Sequence, residues 1–357
     1  MKILLFGEYS GLFNNLKDGL VTLGHNVFLA SNGDGYRNYP SDYRYDMHIK
    51  GKLGNAVGIF NVFTNLKMFS GYDIVFVVAP NPLFKISISN ELFNYLVKNN
   101  EKVFICGAGL YTNSFNFWYN NINSKYYEYT HADYNGAPNK YAFPFYVTPK
   151  RLKLELNILN KLNGLIPIMY EYSEPFRDFP KLLKTVPIPI NLSKFEYKPN
   201  IVKGKIVFFH GLTRPCKGGE YILKAFDFLS KKYSNHAEFI AKGGLPFKDY
   251  MELIDRTNVV LDDTNAYSLG MNALFSMAKG KIVMGGAEDV ANKELGYEHC
   301  PAINLTKDVN QIILAIDNII ENKNYIEQIG FESRKLVEEY HNYIKVAEEY
   351  TKLFEKF

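Results

Sequence analysis

DDTNAYSLGMNALFSMAKGKIVMGG, residues 262–286, decides how this chain is built. An apolar, strand-like run at 258–261 leads into it and ends in two acids, Asp262 and Asp263. A turn of small residues follows at Ser268 and Gly270, and residues 271–278 carry the spacing of an amphipathic helix. Gly280 ends that helix, and a second strand starts at Lys281. A strand, a glycine turn and a helix N-terminus make an anion site, because the first helical turn presents unpaired N–H groups and the positive end of the dipole.

A second stretch, HGLTRPCKGGEYILKAF at 210–226, points to the same ligand class. Lys217 stands at a helix start, where the dipole disfavours a cation, and a bound anion would offset that cost. Arg214 lies three positions away. Lysine and arginine suit a diphosphate leaving group, which gains negative charge as the bond to it breaks.

Together the two stretches resemble the donor-phosphate region of GT-B glycosyltransferases, especially family 4. The first follows the pattern E-G-F-G, a short spacer, then E-A-M-A-x-G-x-P-V, on which Ser268, Gly270, Met277, Ala278, Gly280 and Val283 fall. The second follows G-R-L-x-x-x-K-G-x-x-x-L-x-x-A-F, with Gly211, Lys217, Gly218, Leu223, Ala225 and Phe226 in register. Tyr267 and Phe275 stand where the pattern has its two glutamates, and Leu212 holds the arginine position, with Arg214 two residues on. In the family the second glutamate holds the ribose hydroxyls, and a phenyl ring cannot accept those hydrogen bonds. Asp262, Asp263 or Asn265 is left to substitute, unless the acid pair is simply a solvated strand terminus. Where the family fits another strand and loop beside the nucleobase, only LPFKDYMELIDRT (245–257) is present, which reads as one helix entered through Pro246.

The rest of the chain alternates strand and helix signals, the pattern of a parallel sheet covered by helices on both faces. KILLF (2–6) is a strand, Gly7 and Gly11 sit in the following turn, and a helix carries Leu12, Leu16, Leu20 and Leu23 before Gly24. Further strands are predicted at 26–30, 73–78, 102–106, 164–169 and 185–188, then at 205–209 and 238–241, with a helix over 218–232. The segment VPIPINLSKFEYKP (186–199) resembles the interdomain crossing of the family through Pro189, Asn191 and Phe195. The last fifty residues read as helices. The resemblance implies an α/β chain with two Rossmann-like domains facing across a cleft. Residues 1–196 would form the acceptor side and 197–340 the nucleotide-sugar donor side, with 341–357 a helix returning to the first domain.

In the first half, GAGLYTNSF (107–115) follows a strand end, a usual place for ligands in open α/β sheets. The aromatic, polar stretch that continues to residue 146 suits an acceptor wall, since sugars stack on rings and bond to Asn, Asp and Tyr. It contains His131 and Asp133, either a candidate base toward an acceptor hydroxyl or a holder of donor hydroxyls, and Glu8 in the first glycine turn is a third catalytic candidate. The donor-binding set is Gly11, Gly211, Arg214, Lys217, Gly243, Asp263, Asn265, Tyr267, Ser268, Leu269, Gly270, Met271 and Asn272. No metal or cofactor is expected, the nucleotide sugar being a co-substrate.

At 357 residues the chain is long enough for two cores, and a net charge of +4 is too small to argue for nucleic acid. Cys106, Cys216 and Cys300 are odd in number and lack CxxC spacing, which points to a reducing compartment and to no zinc site. No signal-peptide pattern precedes KILLF, and apolar runs such as 74–80 fall far short of the ~20 residues of a spanning helix. The expected setting is cytoplasmic, with any membrane contact peripheral and at the inner face. The 27 Tyr and 27 Phe match the skew of an AT-rich genome, so only their local clusters carry weight.

The leading expectation is a glycosyltransferase, retaining if the family's stereochemistry carries over, that moves a sugar from a nucleotide sugar to a glycan or lipid-linked acceptor in bacterial cell-surface polysaccharide synthesis. Two alternatives stay open: a catalytically weak GT-B binding protein, and a sugar-nucleotide epimerase of the same architecture.

Overall fold

A computed structural model describes residues 1–49, 51–83, 85–131, 147–212 and 214–357, which fall into two compact units. The first unit comprises residues 1–117, 147–191 and 341–357. Its elements run β1 (Lys2–Phe6), α1 (Leu12–Thr22), β2 (Asn26–Ser31), β3 (Tyr43–Arg44), α2 (Gly51–Thr64), β4 (Ile74–Val77), α3 (Ile86–Asn99) and β5 (Lys102–Gly107). After α4 (Thr112–Asn120), which straddles the boundary between the units, and α5 (Glu128–His131), which lies in the second, the first unit resumes with α6 (Pro149–Lys161), β6 (Gly164–Pro167) and α7 (Tyr170–Ser173). The strands lie in the order β3-β2-β1-β4-β5-β6, every pair parallel. Ile3, Leu4, Leu5 and Phe6 are all fully buried, as are nearly all residues of β4, because helices cover both faces of a parallel sheet.

The second unit contains residues 118–131 and Leu192–Tyr340. It runs β7 (Ile206–Leu212), α8 (Gly219–Lys232), β8 (Ala237–Gly243), α9 (Phe247–Arg256), β9 (Val259–Leu261) and α10 (Met271–Ala278). Then follow β10 (Ile282–Gly285), α11 (Asp289–Leu295), β11 (Ile303–Asn304), α12 (Val309–Glu321) and α13 (Ile326–Tyr340). Its five strands are again parallel, in the order β11-β10-β9-β7-β8. Phe208, Val259, Leu261, Ile282 and Met284 from the sheet meet Ile222, Leu229, Ile312 and Ile316 from α8 and α12 in one core. The fold is therefore α/β with two Rossmann-like parallel sheets.

The last helix, α14 (Tyr343–Lys356), belongs to the first unit and lies along α1. Gly19 makes this approach possible, since a methyl group there would overlap the Tyr343 carbonyl oxygen. Tyr350 of α14 meets Phe76 tilted at 5.2 Å, Phe354 meets it edge-on at 5.5 Å, and Phe354 reaches Phe104 at 5.2 Å. Lys102 donates to the Phe354 carbonyl at 2.8 Å and closes the helix end.

Two local expectations change. Residues 185–188 form no strand, because Pro187 and Pro189 have no N–H for a ladder; Val186 donates to the Pro167 carbonyl at 2.8 Å. Residues 118–131, expected on the acceptor side, group with the second unit and include two helical segments where the sequence shows poor periodicity. The single helix expected over 245–257 is α9, with Pro246 as its N-cap.

Candidate functional site

The second sheet changes direction at β7, which has the next strand in sequence, β8, on one side and β9 on the other. Ligands of open α/β sheets bind outside the carboxyl ends of the strands at such a switch point. β7 and β9 run side by side, with His210 opposite Leu261, so the turns that leave them emerge together. These are the two stretches singled out in the sequence.

Glycines set the first turn. Gly218 has φ +73°, and a methyl group on it would overlap the Thr264 hydroxyl; on Gly219 it would fall 2.7 Å from His210 Nε2. The turn from β9 thus lies directly on the turn from β7. Thr264 N–H donates to the Lys217 carbonyl at 3.1 Å, and the Asn265 amide donates to the Cys216 carbonyl at 2.7 Å. His210 is buried, and its Nδ1 lies 2.9 Å from the Leu261 carbonyl. Burial holds its pKa below the usual histidine value, so the ring is neutral and donates from Nδ1.

Lys217 Nζ lies 3.7 Å from Asp262 Oδ1 and 3.5 Å from Asp263 Oδ2. Burial alone would lower its pKa, but the two carboxylates outweigh this and hold the ammonium charged. For Asp263 burial dominates: it pushes the carboxyl up to about 6 despite the pull of Lys217, with Asp262 adding to the rise. The Asp262 carboxylate also lies beside Gly270, the N-cap of α10. There Met271 and Asn272 open the helix, half-buried, after buried Ser268 and Leu269. Lysine, acid pair and helix N-terminus therefore share one place. Arg214 stands exposed on the same turn, Gly211 lies within β7, and Gly243 ends β8 hard against Leu212.

Residues 118–131 are fixed to this region. Tyr129 donates its hydroxyl to Asp263 Oδ2, the oxygen nearest Lys217, and Asn265 N–H donates to Oδ1 at 2.9 Å. Burial, followed by the charge of Asp263, holds the Tyr129 phenol well above its ordinary pKa and therefore protonated. Tyr126 stacks on Tyr129 at 4.1 Å, and Trp118 stacks on Tyr267 at 5.6 Å. The Tyr267 hydroxyl accepts from Lys125 N–H at 3.0 Å. Lys125 Nζ reaches both Glu288 Oε1 and Asn304 Oδ1 at 2.8 Å. The two positions without glutamates are thus filled by rings with partners of their own: Tyr267 on Trp118, and buried Phe275 on Phe195 at 4.7 Å. Tyr129, Lys125 and Glu288 carry no sequence signal of a site; they are visible only once the fold brings them together.

His131 sits between Tyr119 and Tyr127, at 4.1 and 3.5 Å, with Nδ1 3.0 Å from the Tyr127 carbonyl. Asp133 lies outside the described residues. Glu8 of the first unit is buried and accepts from the N–H groups of Phe13 and Asn14 at 3.2 and 2.9 Å, at the N-terminus of α1. Burial raises it to about 7. Gly11, with φ +84°, precedes that helix and is closed in by Tyr39. Glu155 repeats the Glu8 arrangement at α4, accepting from Thr112 and Asn113 N–H at 2.6 and 2.9 Å. A buried glutamate holding a helix start is therefore a structural device used twice in this unit. Among the described residues no three His, Cys, Asp or Glu side chains are placed to hold a metal ion.

No family model matches the sequence, and no curated protein matches it either. Solved structures share the fold over the full chain. Sucrose-phosphate synthase from Thermosynechococcus elongatus superposes with a TM-score of 0.68 at 14% identity, covering 100% of this chain and 99% of its own. HepE from Anabaena, solved with UDP and glucose, gives 0.64 at 13% identity and covers 100% of both chains. A glycosyltransferase from Rickettsia africae gives 0.60 at 14% identity, covering 99% of this chain and 98% of its own.

Proposed function

We propose that this chain is a glycosyltransferase that takes a sugar from a nucleotide-sugar donor and passes it to a glycan or lipid-linked acceptor in bacterial cell-surface polysaccharide synthesis. The observation that carries the reading is the convergence of Lys217 with the N-terminus of α10 at the switch point of the second sheet. HepE, with the same fold, was solved with UDP and glucose, which makes a UDP-sugar the first donor to test. When the sugar–oxygen bond breaks, the electron pair goes to the terminal phosphate of the nucleoside diphosphate. Lys217, Arg214 and the first N–H groups of α10 would stabilise that charge, and the acceptor hydroxyl, losing its proton, would take the sugar. The reading extends to a hexose donor, retention of configuration, a cytoplasmic setting with peripheral contact at the inner membrane face, and Glu8, His131 or Asp133 as acceptor-side bases.

A second reading, a catalytically weak binding protein, draws support from the acid pair that already neutralises Lys217 and from the apolar packing of Phe275. One assay separates the readings: incubate the protein with UDP-sugars and follow free UDP. A transferase releases UDP slowly without acceptor, an epimerase alters the sugar with the nucleotide attached, and a binding protein does neither. Lys217→Ala should lower UDP release by about 10²-fold. Wild-type release in that variant would remove the proposed donor site.

A further inference from the structure

Helix α2, GKLGNAVGIFNVFT, is built inside out for a helix on the surface of a soluble protein. Its buried face is made of Gly54, Gly58 and Val62. A methyl group on Gly54 would overlap the Ile49 carbonyl, and one on Gly58 would lie 3.1 Å from the Tyr45 ring, so the helix lies close to the body through its smallest residues. Its largest apolar side chains point the other way. Leu53 and Phe60, two helical turns apart on one face, are 66% and 67% exposed, and Met47 just before the helix is 62% exposed. Ala56 on the same face is also exposed, as is Met68 beyond the helix end.

The charges along this stretch of chain have one sign. From residue 47 to residue 72 the sequence has three lysines and no acid, and Lys52 and Lys67 are exposed at either end of the helix. The acids that bracket this stretch are engaged: Asp46 pairs with Arg44, and Asp73 accepts from Lys2 N–H at 2.7 Å. Exposed apolar side chains between lysines, with no acid among them, match an interface between acyl chains and anionic headgroups. A protein partner matched to this face would have to supply acidic groups around an apolar centre, whereas an anionic bilayer supplies both at any orientation about its normal.

We propose that this face of the first unit rests on a membrane surface containing anionic lipid, with Leu53 and Phe60 entering the acyl boundary and Lys52 and Lys67 at the headgroups. This deepens the peripheral contact of the reading above and rests on it. Vesicle binding needs neither donor nor acceptor, so it fails or succeeds separately from UDP release.

The test is co-sedimentation of the full chain with vesicles of phosphatidylcholine alone and of phosphatidylcholine with one-third phosphatidylglycerol. Binding is expected to the anionic vesicles and to weaken with added salt. Leu53→Asp with Phe60→Asp should reduce partition by roughly 100-fold or more while leaving UDP release unchanged, since both side chains are exposed. Lys52→Glu with Lys67→Glu keeps the apolar face and should cost about tenfold or more, on anionic vesicles only. Equal binding of both vesicle types, or retention of binding by both double variants, overturns the proposal. So does a wild-type dimer in solution that the aspartate pair converts to monomer, because a second copy would then cover the face.

Discussion

Asp263 answers to two neighbours with opposite demands. Lys217 favours its charged form, whereas burial and Asp262 favour the neutral one, and the balance falls at about 6, well above the ordinary aspartate value. Above that pH the carboxylate is charged, holds Lys217 and repels a diphosphate; below it the carboxyl is neutral and the lysine is released to an incoming anion. Affinity for a nucleotide sugar, whose diphosphate takes up no proton in this range, should therefore rise as pH falls from about 7.5 to about 5.5, by at most about tenfold per pH unit. Calorimetric titration with UDP-glucose should show this slope, and Asp263→Asn should flatten it; equal affinity at both ends of the range would refute the competition. Phe275 gives a second prediction at this scale. Its ring is buried against Phe195, so Phe275→Glu puts a carboxylate among rings and should cost about 2 kcal/mol or more, read as a fall in the denaturation midpoint. A variant as stable as wild type that also binds UDP-sugar more tightly would show instead a family-type ribose site with a single lesion. Sequence alone revealed that the two glutamates were missing. It did not reveal what replaced their surroundings, because Tyr129 and Asp263 are 134 positions apart and neither neighbourhood advertises the other.

The approach of α1 to α14 depends on one missing side chain. In most helices Gly→Ala is stabilising by nearly 1 kcal/mol through propensity. At Gly19 the added methyl group would meet the backbone carbonyl of Tyr343 and come within 2.8 Å of Ala347 Cβ, neither of which is the free end of a flexible side chain. Overpacking of this kind costs roughly 1–3 kcal/mol, so Gly19→Ala should lower stability in urea, and a neutral or stabilising result would mean the two helices separate freely. Element by element, the alternation of strands and helices is legible because buried parallel strands and amphipathic helices leave strong periodic patterns; α10 starts where that pattern puts it and stops just before Gly280. β3 and β11, two residues each, are too short to leave a period. Residues 118–131 escape the pattern for a different cause: their rings are spent on one another and on Tyr267, with no repeating face.

At the scale of the molecule, the chain leaves the first unit after Asn191 and re-enters it at His341, and the two passages are bonded to each other. Ile190 N–H donates to the His341 carbonyl at 2.7 Å, Tyr343 N–H donates to the Ile190 carbonyl at 3.2 Å, and His341 Nδ1 lies 2.8 Å from the Ile188 carbonyl. His341 is buried, and burial lowers its pKa from 6.5 to about 4. Between those values the unfolded chain binds a proton that the folded chain does not. Its contribution to stability is therefore complete above about 6.5 and is lost as pH falls toward 4, about 3 kcal/mol in all. Urea midpoints across that range should fall for wild type and fall less for His341→Asn; identical slopes would mean that other groups carry the acid sensitivity. The return of the chain also fixes an order of events at the ribosome. β1 to β6 emerge early, yet the helix that covers Gly19, Phe76 and Phe104 is translated only after the whole second unit. The half-built first sheet must wait with that side uncovered, a hydrophobic surface on which chaperones can act, until the helix made after the second unit returns to close it.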